Sequence, residues 1–249
     1  MAGHSKWANI KRHKAKQDAK RGKIYTKIIR EVTVSAKMGG GDPNSNPRLR
    51  AALESAQQAN MTKDVIERAI KRGAGGMEGE IVEEVRYEGY GPGGIAVMVD
   101  CMTNNRNRTV ADVRHAFSKN GGNLGTDGSV AYLFKKQGEI TFAPGADEER
   151  LIELSLELGV EDIVIDEDKS IEVITTPEEF MTVKETLSKA QLHADQAEVT
   201  MRASTPIVID DKLIAEKVVN LVDMLEDLDD VQSVYSNAEI VEEVLNQLT

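Results

Sequence analysis

The apolar residues of this chain change period at a glycine-rich stretch carrying Gly73, Gly75, Gly76 and Gly79, and that change constrains the fold more than any other feature. Before it, apolar side chains recur every three to four residues, as on one face of a helix; after it they alternate or gather in short runs, as in strands. Glycine-rich stretches of this kind join units rather than continue them. The sequence therefore predicts an α+β chain, with a small helical domain followed by sheet-containing ones. A length of 249 residues leaves room for two or three such units.

Three helices are predicted upstream. Over 17–37, Tyr25, Ile28, Ile29, Val32 and Ala36 share one face, while Lys16, Lys20, Lys23, Lys27 and Arg30, spaced 4, 3, 4 and 3, form a stripe opposite. One face should pack and the other stay cationic and exposed, until Gly39, Gly40 and Gly41 stop the helix. Asn46 is a natural N-cap and Pro47 a natural first helical residue, leading Leu49, Ala52, Leu53 and Ala56 at helical spacing. Thr62 can cap a third helix that has Asp64 in its first turn, Lys71 and Arg72 in its last, and Gly73 as its stop.

Downstream, strands over 85–90 and 95–102 flank the turn Gly91-Pro92-Gly93-Gly94. A polar entry loop at 105–109 leads into a helix over 110–118, and a glycine-rich loop leads to a strand over 130–134. From 139 onward the predicted order is strand, helix, strand, strand, helix, strand, the β-α-β-β-α-β order of a ferredoxin-like unit. A helix over 210–228, a strand over 231–236 and a short helix over 240–248 are left over, and they match the incomplete sheet that precedes the unit. The expected organisation is a three-helix domain at 1–78, a discontinuous α/β domain at 79–135 plus 202–249, and a ferredoxin-like α/β domain at 136–201 inserted in the second.

Charge follows the same division. The net charge is −11, yet residues 1–75 carry +11 and the remainder −22. Such segregation fits a protein whose one end meets a polyanion while the rest stays soluble and repels non-specific association. Lys6, Lys11, Arg12, Lys14, Lys16, Lys20, Arg21, Lys23, Lys27 and Arg30 crowd the first helix and its approach, with Asp18 the sole acid before Glu31. That density would release condensed counterions from a phosphate backbone and give salt-sensitive, mainly sequence-independent affinity. Trp7 can stack on a base or anchor a core. Arg48 and Arg50 on the second helix join the candidate contacts. The second and third helices can be read as a helix-turn-helix presenting Arg68, Lys71 and Arg72 to the major groove. A plain three-helix scaffold is the better reading, because the last helix is short and lacks the Asn, Gln and Arg set that reads base edges.

Two further motifs bear on ligands. Gly89, Gly91 and Gly94 satisfy G-x-G-x-x-G, but a strand follows where a dinucleotide site needs a helix N-terminus, so a hairpin turn is expected. The loops 104–109 and 119–128 expose backbone amides that could nest a phosphate, with Arg106 and Arg108 as a clamp, and a second contact surface is expected there. Catalytic signatures are missing: His4, His13, His115 and His193 share no metal-ligand spacing, and Glu83-Glu84 and Asp229-Asp230 read as solvated acidic surface. No catalytic residue, metal, cofactor or small-molecule substrate is expected. The lone Cys101 lies in an apolar run and reads as a buried, inert thiol, which suits a reducing compartment. Nothing approaches the roughly 20 apolar residues of a membrane span, and the basic start lacks the apolar centre of a secretory signal, so a cytoplasmic location is expected. The same start is compatible with a mitochondrial transit peptide, although it is lysine-led and poor in serine.

Several stretches are specific enough to resemble a known family. Residues 1–10 (MAGHSKWANI), 17–23 (QDAKRGK), 39–43 (GGGDP), 46–52 (NPRLRAA), 87–94 (YEGYGPGG), 105–109 (NRNRT) and 121–130 (GGNLGTDGSV) closely resemble the bacterial YebC/PmpR family. The likeness is carried by motif in the first 135 residues and by pattern thereafter. It implies an N-terminal helical domain and two α/β domains, the last inserted in the second, without catalytic residues or cofactor. Members are described as DNA-binding transcriptional regulators, mitochondrial relatives as translational activators, and a ribosome-associated role has been proposed. The expected partner is thus nucleic acid, either DNA or ribosomal RNA on the ribosome.

Overall fold

The computed structural model describes residues 21–75, 82–166 and 168–248, and shows a mixed α+β chain whose helices come first. Helix α1 (Arg21–Gly39) leads, followed by α2 (Pro47–Gln58) and α3 (Lys63–Gly73). Their shared core is small: Val32, Ala36, Leu49, Ala52 and Ala69, with Ile28, Ile29, Leu53 and Ile70 packed around it. Both later helices lie on α1 and scarcely touch each other. Asn46 is buried between the end of α1 and the start of α2, where its side chain does three things. Its Oδ1 accepts from the Leu49 N–H at 3.1 Å, capping α2, and its Nδ2 donates to the carbonyls of Ser35 at 2.8 Å and Gly40 at 2.9 Å. Thr62, expected to cap α3 through its hydroxyl, makes no side-chain cap bond. Gly73 is needed for closeness, since a Cβ there would lie 2.1 Å from the Thr33 carbonyl oxygen on α1.

The first sheet runs in the order β3 (Asn123–Leu124), β1 (Glu83–Tyr90), β2 (Ala96–Thr103) and β9 (Val231–Ser236). Strands β1 (Glu83–Tyr90) and β2 (Ala96–Thr103) form an antiparallel hairpin, registered from Glu83 opposite Thr103 to Tyr90 opposite Ala96. Its turn is a 3-10 turn at Pro92–Gly94, with Gly93 and Gly94 at positive φ, so the G-x-G-x-x-G match is turn chemistry. Helix α4 (Arg106–Lys119) follows, capped by Asn105. It starts four residues before the predicted 110, so Arg106 and Arg108 sit in a first helical turn rather than a loop. Strand β3 (Asn123–Leu124) then pairs with β1.

Residues 131–133 form a 3-10 turn instead of the expected strand, and the strand proper is β4 (Phe134–Phe142). With α5 (Glu148–Glu157), β5 (Asp162–Ile165), β6 (Ile171–Thr175), α6 (Phe180–Lys189) and β7 (Gln196–Ala203) it builds a second sheet in the order β5-β6-β4-β7. All three pairings are antiparallel, which is the ferredoxin-like arrangement. Its core is Ile140, Phe142, Leu151, Ile171, Val173, Phe180, Val183 and Leu187.

The chain then returns to the first unit through β8 (Ile207–Ile209), α7 (Lys212–Glu226), β9 (Val231–Ser236), β10 (Ala238–Ile240) and α8 (Glu242–Leu245). Strand β9 completes the first sheet beside β2, while β8 and β10 pair in parallel, a small sheet the sequence pattern did not foretell. Alternation along β2 explains the layers. Val97, Val99 and Cys101 face α4 and α7, whereas Ala96 and Met98 face the opposite side, covered by Val130, Phe134, Met201 and Ala203. Strands β4 and β7 pair without a break from Phe134–Ala203 to Thr141–Gln196, so one ribbon serves both the ferredoxin-like sheet and the back of the first sheet. Burial pushes the Cys101 thiol up to about 12.

Candidate nucleic-acid interface

Lys23, Lys27 and Arg30 on the cationic face of α1 are partly covered rather than free in solvent. Lys23, Lys27 and Arg30 fall one turn apart on it, and the next residue on the stripe, Val34, is buried. Lys23 Nζ donates to the Asp227 carbonyl at 2.7 Å and lies 3.4 Å from its carboxylate. The Arg30 guanidinium donates to the Asp229 carbonyl and sits 3.1 Å from Asp230 Oδ1. Lys27, between them, is half-buried; burial pushes its ammonium below the ordinary lysine range, Glu226 opposes this, Lys23 adds to it, and Asp227 opposes it in turn. Lys23, Lys27 and Arg30, the part of the expected exposed stripe that lies among the described residues, are therefore docked on the acidic segment that links α7 to β9.

Asp230 holds that junction together. Its carboxylate is 5% exposed, against the expectation that Asp229-Asp230 is solvated surface. Oδ2 accepts from Arg108 at 2.7 Å, from the Thr109 hydroxyl at 2.8 Å and from the Thr103 hydroxyl at 3.2 Å. Burial alone would raise its pKa, but the bonds from Arg108 and Thr109, with the charges of Arg30 and Arg108, outweigh it and hold the carboxyl below the usual aspartate range. A second tie joins helices to sheet at Arg48. Its Nε donates to Glu31 at 2.6 Å and its Nη1 to Glu84 at 3.2 Å, and these bonds raise its pKa above that of an ordinary arginine. Glu83 is engaged too, 3.8 Å from the exposed Arg106. Along the seam runs an open cleft of about 600 Å³, lined by Lys23, Arg30, Asn104, Arg108, Asp227 and Asp230 among others.

The glycine-rich loop does form a nest of amides, and the protein fills it itself. Glu88 accepts from the N–H groups of Gly128 at 2.8 Å, Val130 at 2.8 Å and Ala131 at 2.7 Å. Burial opposes its ionisation, but the three amides prevail and lower its pKa. Of the loop 119–128 expected to cradle phosphate, the Gly128 amide is thus engaged by a carboxylate.

The candidate contacts fall into three groups. Lys23, Lys27, Arg30, Arg48 and Arg108 are brought together with acids at the seam. Arg50, Arg68, Lys71, Arg72 and Arg106 are exposed. Of these, Arg68, Lys71 and Arg72 share one face of α3, and Arg50, Arg68, Lys71 and Arg72 have no carboxylate partner among the described residues. Lys6, Trp7, Lys11, Arg12, Lys14, Lys16 and Lys20 lie outside the described residues, as does the side chain of Arg21. The residues that sequence reasoning missed are the acids at 226–230. Their run was visible in the sequence, but its partner lay some 200 positions upstream. Among the described residues no helix is long and apolar enough to cross a membrane, and no three acidic, His or Cys side chains gather into a metal site.

Comparison with known proteins gives consistent matches along the chain. A family model described as "TACO1/YebC protein N-terminal domain" matches residues 5–76, and one described as "TACO1/YebC second and third domain" matches residues 82–238. A protein of Francisella philomiragia subsp. philomiragia is 63% identical over 248 residues, covering 100% of both chains, and is named "Probable transcriptional regulatory protein". A protein of Francisella tularensis subsp. mediasiatica bears the same name at 62% identity, again covering 100% of both chains. The crystal structure of a conserved hypothetical protein of Aquifex aeolicus is similar with a TM-score of 0.79 and 50% identity, covering 92% of this chain and 94% of that one.

Proposed function

Because the chain belongs to the TACO1/YebC family, we propose that it is a nucleic-acid-binding regulatory protein of the cytoplasm, a transcriptional regulator that contacts DNA through its helical domain and works without catalysis. The observation that carries this reading is the exposed face of α3. Arg68, Lys71 and Arg72 stand there together, with Arg50 on α2, without carboxylate partners among the described residues, while Lys23, Lys27 and Arg30 of α1 face acids. Such a face supplies phosphate contacts, which fix position and orientation on a duplex and depend steeply on salt.

The test is fluorescence anisotropy with a random 30-base-pair duplex over a range of salt concentrations. Replacing Arg68, Lys71 and Arg72 by alanine should weaken binding at least tenfold and reduce the slope of log K against log salt by roughly 2 to 3. An unchanged affinity and slope would count against this face.

One observation favours a second reading, a translation factor bound to ribosomal RNA. Arg68 Nε folds back onto the Asp64 carbonyl at 3.1 Å, and α2 and α3 pack on α1 rather than as a unit, so no helix is set up to read base edges. RNA recognised by shape and 2′-hydroxyls needs no such helix. Intact ribosomes that outcompete duplex and keep their hold as salt rises would select this reading; salt-resistant binding to particular duplexes would select the first.

A further inference from the structure

We propose that the acidic segment 226–230 occupies the cationic face of α1 in place of nucleic acid, so that the structure is a self-masked state and a polyanion must displace the segment to reach Lys23, Lys27 and Arg30. This inference rests on the nucleic-acid reading above and adds its regulation. The segment offers the chemistry of a phosphate backbone. Lys23 and Arg30 each meet one backbone carbonyl and one carboxylate within the run, and the half-buried Lys27 lies between them in the field of Glu226 and Asp227. These are the acceptor oxygens and negative charges that the same side chains would take from phosphates.

The seam is built to part. It is polar and carries an open cleft of about 600 Å³ instead of an apolar core, and junctions of that kind between domains exchange readily with solvent and with competing ligands. The chain leaves α3 through Gly75, at a positive φ that glycine adopts without strain. Asp230 stays behind when the segment is displaced. It is held by Arg108, Thr109 and Thr103, all on the sheet side of the seam. Masking of Lys23 and Lys27 therefore falls to Glu226 and Asp227, whose neutralisation leaves the Asp230 anchor intact.

Binding to a self-masked site is weakened in proportion to the fraction of molecules in the open state. If nine molecules in ten are docked, Glu226→Gln with Asp227→Asn should raise the affinity for a random 30-base-pair duplex by about tenfold. The control is Glu153→Gln with Glu157→Gln on the exposed side of α5, which makes the same change in net charge away from the seam. Equal gains from the two pairs would reduce the effect to net charge and overturn the proposal. A second readout uses the native chain: zero-length carbodiimide coupling of Lys23 to Asp227, mapped by mass spectrometry. The coupled product should fall as duplex is added to saturation, and a yield indifferent to bound duplex overturns the proposal. The two failures are separable. Duplex binding that depends on Arg68, Lys71 and Arg72 but ignores Glu226 and Asp227 leaves the function standing and removes the mask; no binding by either the native protein or the unmasked variant removes both.

Discussion

Glu88 shows how one side chain can decide what a loop is for. Three backbone N–H groups converge where an anion could sit, and the carboxylate supplied from β1 makes the loop part of the fold. Glu88→Gln keeps the shape but turns at least one acceptor into a donor facing an N–H. We expect a loss of about 1–3 kcal/mol in urea unfolding at neutral pH. The sign with pH follows from linkage. Because the folded pKa is depressed, the contribution is complete above the ordinary glutamate value and fades as pH falls through that value toward the folded one. The gap between native and variant midpoints should therefore narrow under acid, and a gap constant down to pH 3 would rule out the ionised carboxylate as the cause. At this scale the sequence was legible where the signal is local. Asn46 caps next to its own helix and Cys101 lies in its own apolar run, whereas Asp230 is explained by Arg30, Arg108, Thr103 and Thr109, which no short window contains.

At the level of elements, the period of apolar residues located most helices and strands, and the errors have physical causes. Helix α4 begins at Arg106 because Asn105 caps it, but the first turn is Arg106, Asn107 and Arg108, polar residues that carry no apolar signal. Residues 130–134 look like a strand by composition, yet Val130 and Ala131 bend inward to give their amides to Glu88, and pairing starts only at Phe134. Close approach is equally invisible to periodicity. Ala is a better helix former than Gly by roughly 1 kcal/mol, so Gly73→Ala would stabilise an isolated α3. In the folded domain the added methyl meets Thr33 O and the Ala36 methyl, and α3 must move away from α1. We expect net destabilisation of about 1–3 kcal/mol, read as faster hydrogen exchange across residues 21–73 with the sheets unaffected. Slower exchange would mean that the contact yields.

Across the whole molecule, opposite charges that the sequence separates by some 200 residues are reunited at one seam. The division into a basic start and an acidic remainder is thus partly an internal pairing. Lys23→Ala with Arg30→Ala should release the helical domain while each part stays folded. Small-angle scattering should then report a larger radius of gyration with an unchanged far-ultraviolet dichroism spectrum, and an unaltered radius would show that the Arg48–Glu84 tie suffices to hold the halves together. The β4–β7 ribbon imposes the opposite behaviour on the two sheets. Its nine-residue strand, about 30 Å long, is hydrogen-bonded along nearly its full length and has its first residue, Phe134, packed into the back of the first sheet. The ferredoxin-like unit is consequently fixed to the first sheet. The two sheets therefore travel as one body, and any parting at the charged seam swings the helical domain alone.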